Sequence, residues 1–433
     1  MTKFAPALLL AAIFAAPASA QDVGEIVAND TGDTAWILTS SALVLLMTLP
    51  GLALFYGGLV RSKNVLSVAL QTGAVAAIVS VLWIVTGYTL AFGDVANGWI
   101  GNGRAWMLIE LTNIRLGTTI PESTFVLFQM TFAIITPALM IGAWVDRARF
   151  SWVVIFCALW SVAVYAPVAH WIWGGGWLAS TFGTMDFAGG LVVHTTAGVS
   201  ALVAAALIGP REGFADKPIL PHAPVLTMIG AALLWVGWFG FTGGSALSAT
   251  DDASSAIINT HLAACVAALV WLLIERIALG KCTTIGWATG AVAGLATITP
   301  AAGYIAPGAA ILFGTLASIV CYGALVQVRK WGIDDTLSVF AVHGMGGMLG
   351  TLLLGLFVSY SLGGTGYPAG MTPAAQLGAQ AIGVAAVAVW SAVMTGILAL
   401  VIGILIPMRV KRKREIEGLD MTSHGERGWY FAD

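Results

Sequence analysis

Apolar residues run along this chain in long blocks with few interruptions. Stretches that are free or nearly free of charge fall at about 36–60, 66–92, 122–145, 150–170, 187–209, 224–243, 254–274, 283–302, 305–328, 337–358 and 378–407. Each is close to the roughly 20 residues a helix needs to cross the hydrocarbon core of a bilayer. The pattern therefore predicts eleven membrane-spanning helices joined by short polar segments.

The charges between the blocks fix an orientation. With the N-terminus placed outside, sixteen Lys and Arg residues, from Arg61 to Arg427, fall on inside segments, and only Arg104 and Arg115 fall outside. Lys3 completes the 19. Lys and Arg gather on the cytoplasmic side of membrane proteins, and a miscounted helix would scramble the alternation. Lys3, the apolar run Ala7 to Ala16, and Ala18-Ser19-Ala20 before Gln21 have the form of a secretory signal. The expected organisation is a cleavable signal peptide at 1–20 and an extracytoplasmic segment at 21–35. An eleven-helix domain at 36–407 and a cytoplasmic tail at 408–433 follow.

Composition agrees with that picture. The 433 residues are 58% hydrophobic and 9% charged, with a mean hydropathy of +0.90. Soluble domains carry about 25% charged residues, so the chain is an integral membrane protein surrounded by lipid. A net charge of −2 gives no basic footprint for nucleic acid. The 52 glycines suit close helix packing. Cys157, Cys265 and Cys321 lie in apolar spans and Cys282 at a span end. Neither disulfide nor zinc spacing joins them, and buried free thiols are expected. No cofactor or metal site is read from the chain, and no HExxH pattern accompanies its histidines.

The two halves echo each other. Gly51-Leu52-Ala53-Leu54-Phe55-Tyr56-Gly57-Gly58 in the first span resembles Gly237-Trp238-Phe239-Gly240-Phe241-Thr242-Gly243-Gly244 in the sixth. His194 and His343 lie in similar frames in the fifth and tenth spans. Five spans per repeat is an odd number, so the second copy is inverted, and inverted repeats place the substrate path between them. The fold class expected is an all-α polytopic membrane protein with an inverted 5+5 repeat, a bracing eleventh helix, N-terminus out and C-terminus in.

An ionisable side chain in lipid is costly and marks function by default. Burial disfavours the imidazolium, leaving a neutral ring with one donor and one acceptor nitrogen. Two such rings in contact can share a proton and hand it on. Asp186, just before the fifth helix, is a candidate N-cap as well as a source of cation attraction. His170 reads as structural or interfacial, and His261 as a buried hydrogen-bonding residue. His222 falls in a loop with no assigned role.

Several ordered segments resemble the ammonium transporter family (Amt/Mep/Rh), its bacterial Amt branch in particular. They are Leu54-Phe55-Tyr56-Gly57-Gly58-Leu59-Val60-Arg61, Ala169-His170-Trp171-Ile172-Trp173-Gly174-Gly175-Gly176, Asp186-Phe187-Ala188-Gly189-Gly190, Trp238-Phe239-Gly240-Phe241 and Val342-His343-Gly344. The match spans nearly everything from about residue 31 onward. It implies a homotrimer of eleven-helix protomers in the bacterial inner membrane, each with one pore for nitrogen uptake. It implies a twin-His pair, His194 and His343. It implies an outer ammonium vestibule formed by Phe132, Trp173 and Ser245, with Phe128 beside it, Asp186 supporting recruitment, and a gate of stacked Phe132 and Phe241. The tail segment Gly418, Leu419, Asp420 with Ser423, His424, Gly425 and Glu426 is similar to one that family members offer to a PII-type signalling protein. Many bacterial members have an acidic residue five positions before the second His, where this chain has Ser338; Asp334 and Asp335 lie slightly upstream.

The chemistry fits that resemblance. Aromatic faces attract a compact cation by about 0.5–2 kcal/mol each, and a hydroxyl accepts an N–H bond. A dry apolar pore rejects any bare ion. Potassium cannot shed its charge, whereas ammonium can shed a proton and pass as ammonia. The substrates expected are ammonium, ammonia and methylammonium, and the expected activity is transport, not enzymatic catalysis. Three other readings remain open: a low-flux ammonium sensor, an Rh-like neutral ammonia channel, and an intramembrane metalloenzyme using the two histidines. A large charged domain after the last span would favour the sensor.

Overall fold

The computed structural model describes residues 29–214 and 220–430, and the expected signal peptide lies outside them. Among the described residues no strand forms; there are only isolated bridges such as Val95 with Gly101. The main helices are α1 (Thr31–Leu59), α2 (Ser62–Phe92), α3 (Glu122–Trp144), α4 (Phe150–Phe182), α5 (Gly190–Ile208), α6 (Pro224–Gly244), α7 (Asp251–Leu279), α8 (Thr284–Ile298), α9 (Pro307–Lys330), α10 (Phe340–Phe357) and α11 (Pro373–Leu405). A short α12 (Arg412–Glu417) follows. Ten of them are long and apolar enough to cross a membrane, and α8, with 15 residues, is shorter.

Local chemistry sets the helix ends. The carboxylate of Asp30 accepts the N–H of Asp33 at 2.8 Å, and the hydroxyl of Thr283 accepts that of Gly286 at 2.8 Å. Both satisfy donors that a first turn leaves unpaired. Pro224, Pro307 and Pro373 open α6, α9 and α11, where a missing N–H costs nothing. The expected span at 283–302 stops early, at Ile298, just before Thr299 and Pro300. Pro300 has no N–H to continue the helical ladder. That stop leaves the Thr299 hydroxyl deep in the protein.

Glycines set how closely the helices approach. A Cβ on Gly230 would lie 2.2 Å from the backbone N of Phe55, and one on Gly237 2.5 Å from Cβ of Met47. Moving up α6 moves down α1, so the two echoing segments pack antiparallel. The histidine helices repeat the arrangement. A Cβ on Gly198 of α5 would lie 2.2 Å from the backbone N of Gly344 in α10. One on Gly347 would lie 2.4 Å from the carbonyl of Gly190 and 2.8 Å from Cβ of His194. Close backbone approach between small residues is a usual way for membrane helices to associate.

Gly198→Leu is accordingly expected to force α5 and α10 apart. Overpacking of this kind costs about 3 kcal/mol, which for a chain of this length predicts a midpoint lowered by roughly 3–4 °C in thermal unfolding of the purified protein. An unchanged midpoint would show that the contact yields.

α11 is held to the bundle by polar contacts inside the apolar core. Thr395 Oγ1 donates to Ser200 Oγ of α5 at 2.8 Å, and Trp160 Nε1 of α4 donates to Ser200 at 3.0 Å and Thr395 at 3.1 Å. The thiols divide: Cys157 and Cys321 are buried, but Cys265 is half-buried and Cys282 exposed. The expectation of four buried thiols is corrected, because those two lie on an outward helix face and at a helix-connecting turn.

Candidate functional site

A cavity of about 350 Å³ has walls that include Trp173, Asp186, Phe187, Ser245 and Tyr304. Trp173 Nε1 donates to the Asp186 carbonyl at 2.8 Å, which fixes the indole at the mouth. Ser245 Oγ donates to the Phe241 carbonyl at 2.8 Å, so its lone pairs are free to accept from a guest. Below the mouth, the Trp173 ring stands edge-on to Phe132, with centroids 5.8 Å apart. Phe128 also meets Phe132 edge-on, at 4.9 Å. Phe132 and Phe241 stack at 4.2 Å and 21°. Phe241 is 6.1 Å from the ring of His194. A continuous aromatic line thus runs from the cavity to the histidines.

His194 and His343 touch. Their Nδ1 atoms are 3.2 Å apart, and their rings lie 5.2 Å apart at 21°. Both are buried. Trp238 stacks on His194 at 5.4 Å, and Thr299 Oγ1 lies 3.3 Å from its Nε2. Each ring sits in a π-helical turn, Gly190–Thr195 and Phe340–Gly344. Such turns often mark functional sites because they re-aim a side chain within a helix.

The two turns are built alike. The Asp186 carboxylate accepts four N–H groups, from Gly189 (2.8 Å), Gly190 (2.7 Å), Leu191 (2.7 Å) and Val192 (3.1 Å). Asp335 accepts two, from Val339 (3.0 Å) and Phe340 (2.7 Å). Each Asp precedes its histidine by eight residues. Three residues after each Asp the backbone turns left-handed, at Gly189 (φ +116°) and at Ser338 (φ +59°). A positive φ is free for glycine and strained for serine. Burial pushes both carboxyls up, that of Asp335 to about 6, while the N–H bonds pull them back. Asp335 and Ser338 line a second cavity of about 160 Å³. The carboxylate that caps the turn carrying the second histidine is therefore Asp335, a role the residue spacing around Ser338 concealed.

The tail folds back on the same end of the bundle. The Leu419 N–H donates to Asn64 Oδ1 at 2.7 Å. The Asp420 carboxylate accepts the N–H groups of Ser67 (2.7 Å) and Leu66 (3.1 Å), and so caps the first turn of α2 from a distant part of the chain. Gly418 and Gly425 take φ of +113° and +74° where the tail turns. The ring of His424 lies edge-on to Phe150 at 5.2 Å. Ser423 is exposed, and Glu426 is exposed with its N–H bonded to the Asp420 carbonyl. Glu415 receives Arg409 at 2.8 Å and the Glu212 N–H at 2.8 Å. Arg211 then joins Asp334 at 2.8 Å and Asp146 at 3.5 Å. Charged links thus connect the tail to the segment that carries Asp335.

The remaining histidines sort by their neighbours. His170 Nδ1 meets the Ala91 carbonyl at 3.1 Å. His222 bridges the Val60 carbonyl (2.8 Å) and Trp429 Nε1 (3.2 Å). His261 is exposed, not buried, with Cys265 Sγ at 3.6 Å and the ring of Trp235 at 5.4 Å. An apolar helix in lipid gives no polar stripe to tell its outer face from its inner one, which accounts for the misplacement. Thr299, Trp238 and Asp335 are the site residues whose roles the sequence left unread.

Comparison with known proteins reaches the same place. A family model described as Ammonium Transporter Family matches residues 35–429. The ammonium transporter of Aquifex aeolicus is 44% identical over 402 residues, covering 92% of this chain and 94% of that one. That of Bacillus subtilis is 43% identical over 404 residues, covering 92% and 98%. Among solved structures, one described as Sensor Amt Protein superposes with a TM-score of 0.85 at 30% identity, covering 91% of this chain and 98% of the other. Saccharomyces cerevisiae Mep2 superposes at 0.83 and 32%, covering 92% and 96%. This multi-pass membrane chain belongs to the Ammonium Transporter Family.

Proposed function

We propose that this protein takes up ammonium across the bacterial inner membrane by separating it into ammonia and a proton. The observation that carries this reading is the aromatic line from an open cavity to two touching, buried histidines. Trp173, Phe128 and Phe132 offer π-faces to the cation, and Ser245 offers a lone pair. Below them the stacked Phe132 and Phe241 close the way to anything that keeps its water shell. A bare cation at that depth faces a penalty of several kcal/mol or more, which ammonium avoids by giving up a proton. The imidazoles of His194 and His343 relay that proton while ammonia passes along the apolar path.

The surrounding assignments follow from the same reading. Residues 1–20 are a cleavable leader, and 21–35, whose last five residues open α1, lie outside the membrane. α1 to α11 form the eleven-crossing inverted repeat with its brace, and 408–433 lie in the cytoplasm. The positive charges on alternate segments support that orientation. Three protomers assemble, each with its own path. The docked tail, with exposed Ser423 and Glu426, is the surface a PII-type protein reads. Methylammonium is a further substrate.

The test is current through purified protein in a planar bilayer. Ammonium gradients are expected to drive current at least about a hundredfold larger than equal potassium gradients, because several kcal/mol against the bare ion corresponds to a factor of that order. Equal currents would overturn separation of the substrate. Ammonia flux without current would favour the neutral channel instead.

A further inference from the structure

We infer that Thr299 is a positioning residue that locks the histidine pair into one arrangement of protons, with the bare nitrogen at the His343 end. The inference rests on the relay reading for its functional consequence, and on hydrogen-bond accounting alone for the arrangement itself.

Thr299 sits one residue past α8, where Pro300 ends the helix. Its hydroxyl has one hydrogen and two lone pairs. The hydrogen goes to the Leu295 carbonyl at 2.7 Å, which can only accept. Trp238 Nε1, which can only donate, fills one lone pair at 3.0 Å. One lone pair remains, and it faces His194 Nε2 at 3.3 Å. An N–H completes that contact, whereas a bare nitrogen would set two lone pairs against each other. His194 therefore carries its proton on Nε2 and presents a bare Nδ1. The neighbouring Nδ1 of His343, at 3.2 Å, must then carry a proton to bond it. This leaves His343 Nε2 bare.

The pair consequently has one open end. An arriving proton can bind the resting pair only at His343 Nε2, its one bare nitrogen. The Nδ1 proton of His343 can then shift to Nδ1 of His194, which becomes the imidazolium while Thr299 keeps hold of its Nε2 proton. The shift reverses when the added proton leaves, and the Thr299 lone pair selects the arrangement to which both rings return. The same atom pins Trp238, whose ring lies parallel to His194, so proton order and ring orientation share one anchor. A third residue that fixes the tautomer of a working histidine is worth several powers of ten in some hydrolases.

Nitrogen-15 solid-state spectra of the protein in lipid read this directly. Transfer across the Nδ1–H···Nδ1 hydrogen bond picks the pair out of the six histidines. In the native protein His194 is expected wholly as the Nε2–H form and His343 wholly as the Nδ1–H form. Thr299→Val, which keeps the shape and removes the acceptor, is expected to give mixed tautomers at both rings. Thr299→Ser is expected to restore single forms. Ammonium current is expected to fall at least about tenfold in Thr299→Val and to recover in Thr299→Ser. Single native tautomers in Thr299→Val would overturn the assignment, as would the opposite tautomers in the native protein. Mixed tautomers with undiminished current would uphold the positioning role and sink the relay instead.

Discussion

His194→Ala is expected to cut ammonium-driven current by at least about tenfold, or to let potassium carry current through the same path. The imidazole is the junction of three contacts: it bonds His343 at 3.2 Å, faces Thr299 at 3.3 Å and stacks under Trp238 at 5.4 Å. Removing it interrupts any proton transfer between the rings, since His343 then has no second imidazole within reach. It also empties space beside polar atoms that need partners. The Nδ1–H of His343 and the remaining Thr299 lone pair would recruit water, and a wet gap beneath Phe241 lowers the penalty for a bare ion. Which consequence dominates depends on how far water follows. The relay predicts lost current where the path stays dry and lost selectivity where it fills. The measurement is paired ammonium and potassium currents at matched protein density. Native ammonium current with native exclusion of potassium would end the case for the relay. Transport assayed by uptake in cells would not discriminate, because potassium leakage is invisible there.

Much of this was written openly in the sequence, and what was not follows a physical pattern. Span length is a one-dimensional property, so the apolar blocks are legible without any knowledge of packing. His194 and His343 stand out because charge in lipid is rare. Phe132, Trp173 and Ser245 are unremarkable alone, and ordered family segments were needed to single them out. Thr299 was hidden because a hydroxyl in an apolar helix usually bonds its own backbone four residues back, as Thr299 also does. Asp335 was hidden because its role depends on where a helix begins. The left-handed residue after Asp186 is Gly189, an easy signal, but the equivalent residue is Ser338, which gives none. The tail contacts join residues more than 350 positions apart, such as Asp420 with Ser67, and no local pattern reports them. Exposed His261 shows the converse limit: an apolar face toward lipid reads the same as an apolar face toward the core.

Asp186→Ala is expected to destabilise the protein by more than about 3 kcal/mol and to abolish transport with it. Four buried N–H groups lose their acceptor at once. Each unsatisfied buried donor costs about 1–3 kcal/mol, and water can recover only part of that at a site this enclosed. Asp186→Asn offers little relief. Its amide keeps one oxygen for Gly189 and Gly190 but sets an NH₂ against the N–H groups of Leu191 and Val192. Asp335→Ala removes two bonds instead of four, so its cost is expected to be about half. The comparison separates two roles for Asp186. A carboxylate acting only to attract ammonium would, when removed, weaken apparent substrate affinity and leave thermal unfolding untouched. A carboxylate that builds the turn carrying His194 would lower the unfolding midpoint sharply, and by more than the same change at Asp335. Thermal unfolding of the three purified variants beside the native protein decides between them. Native stability in Asp186→Ala would show that the helix start holds itself, and the argument from four hydrogen bonds would fail.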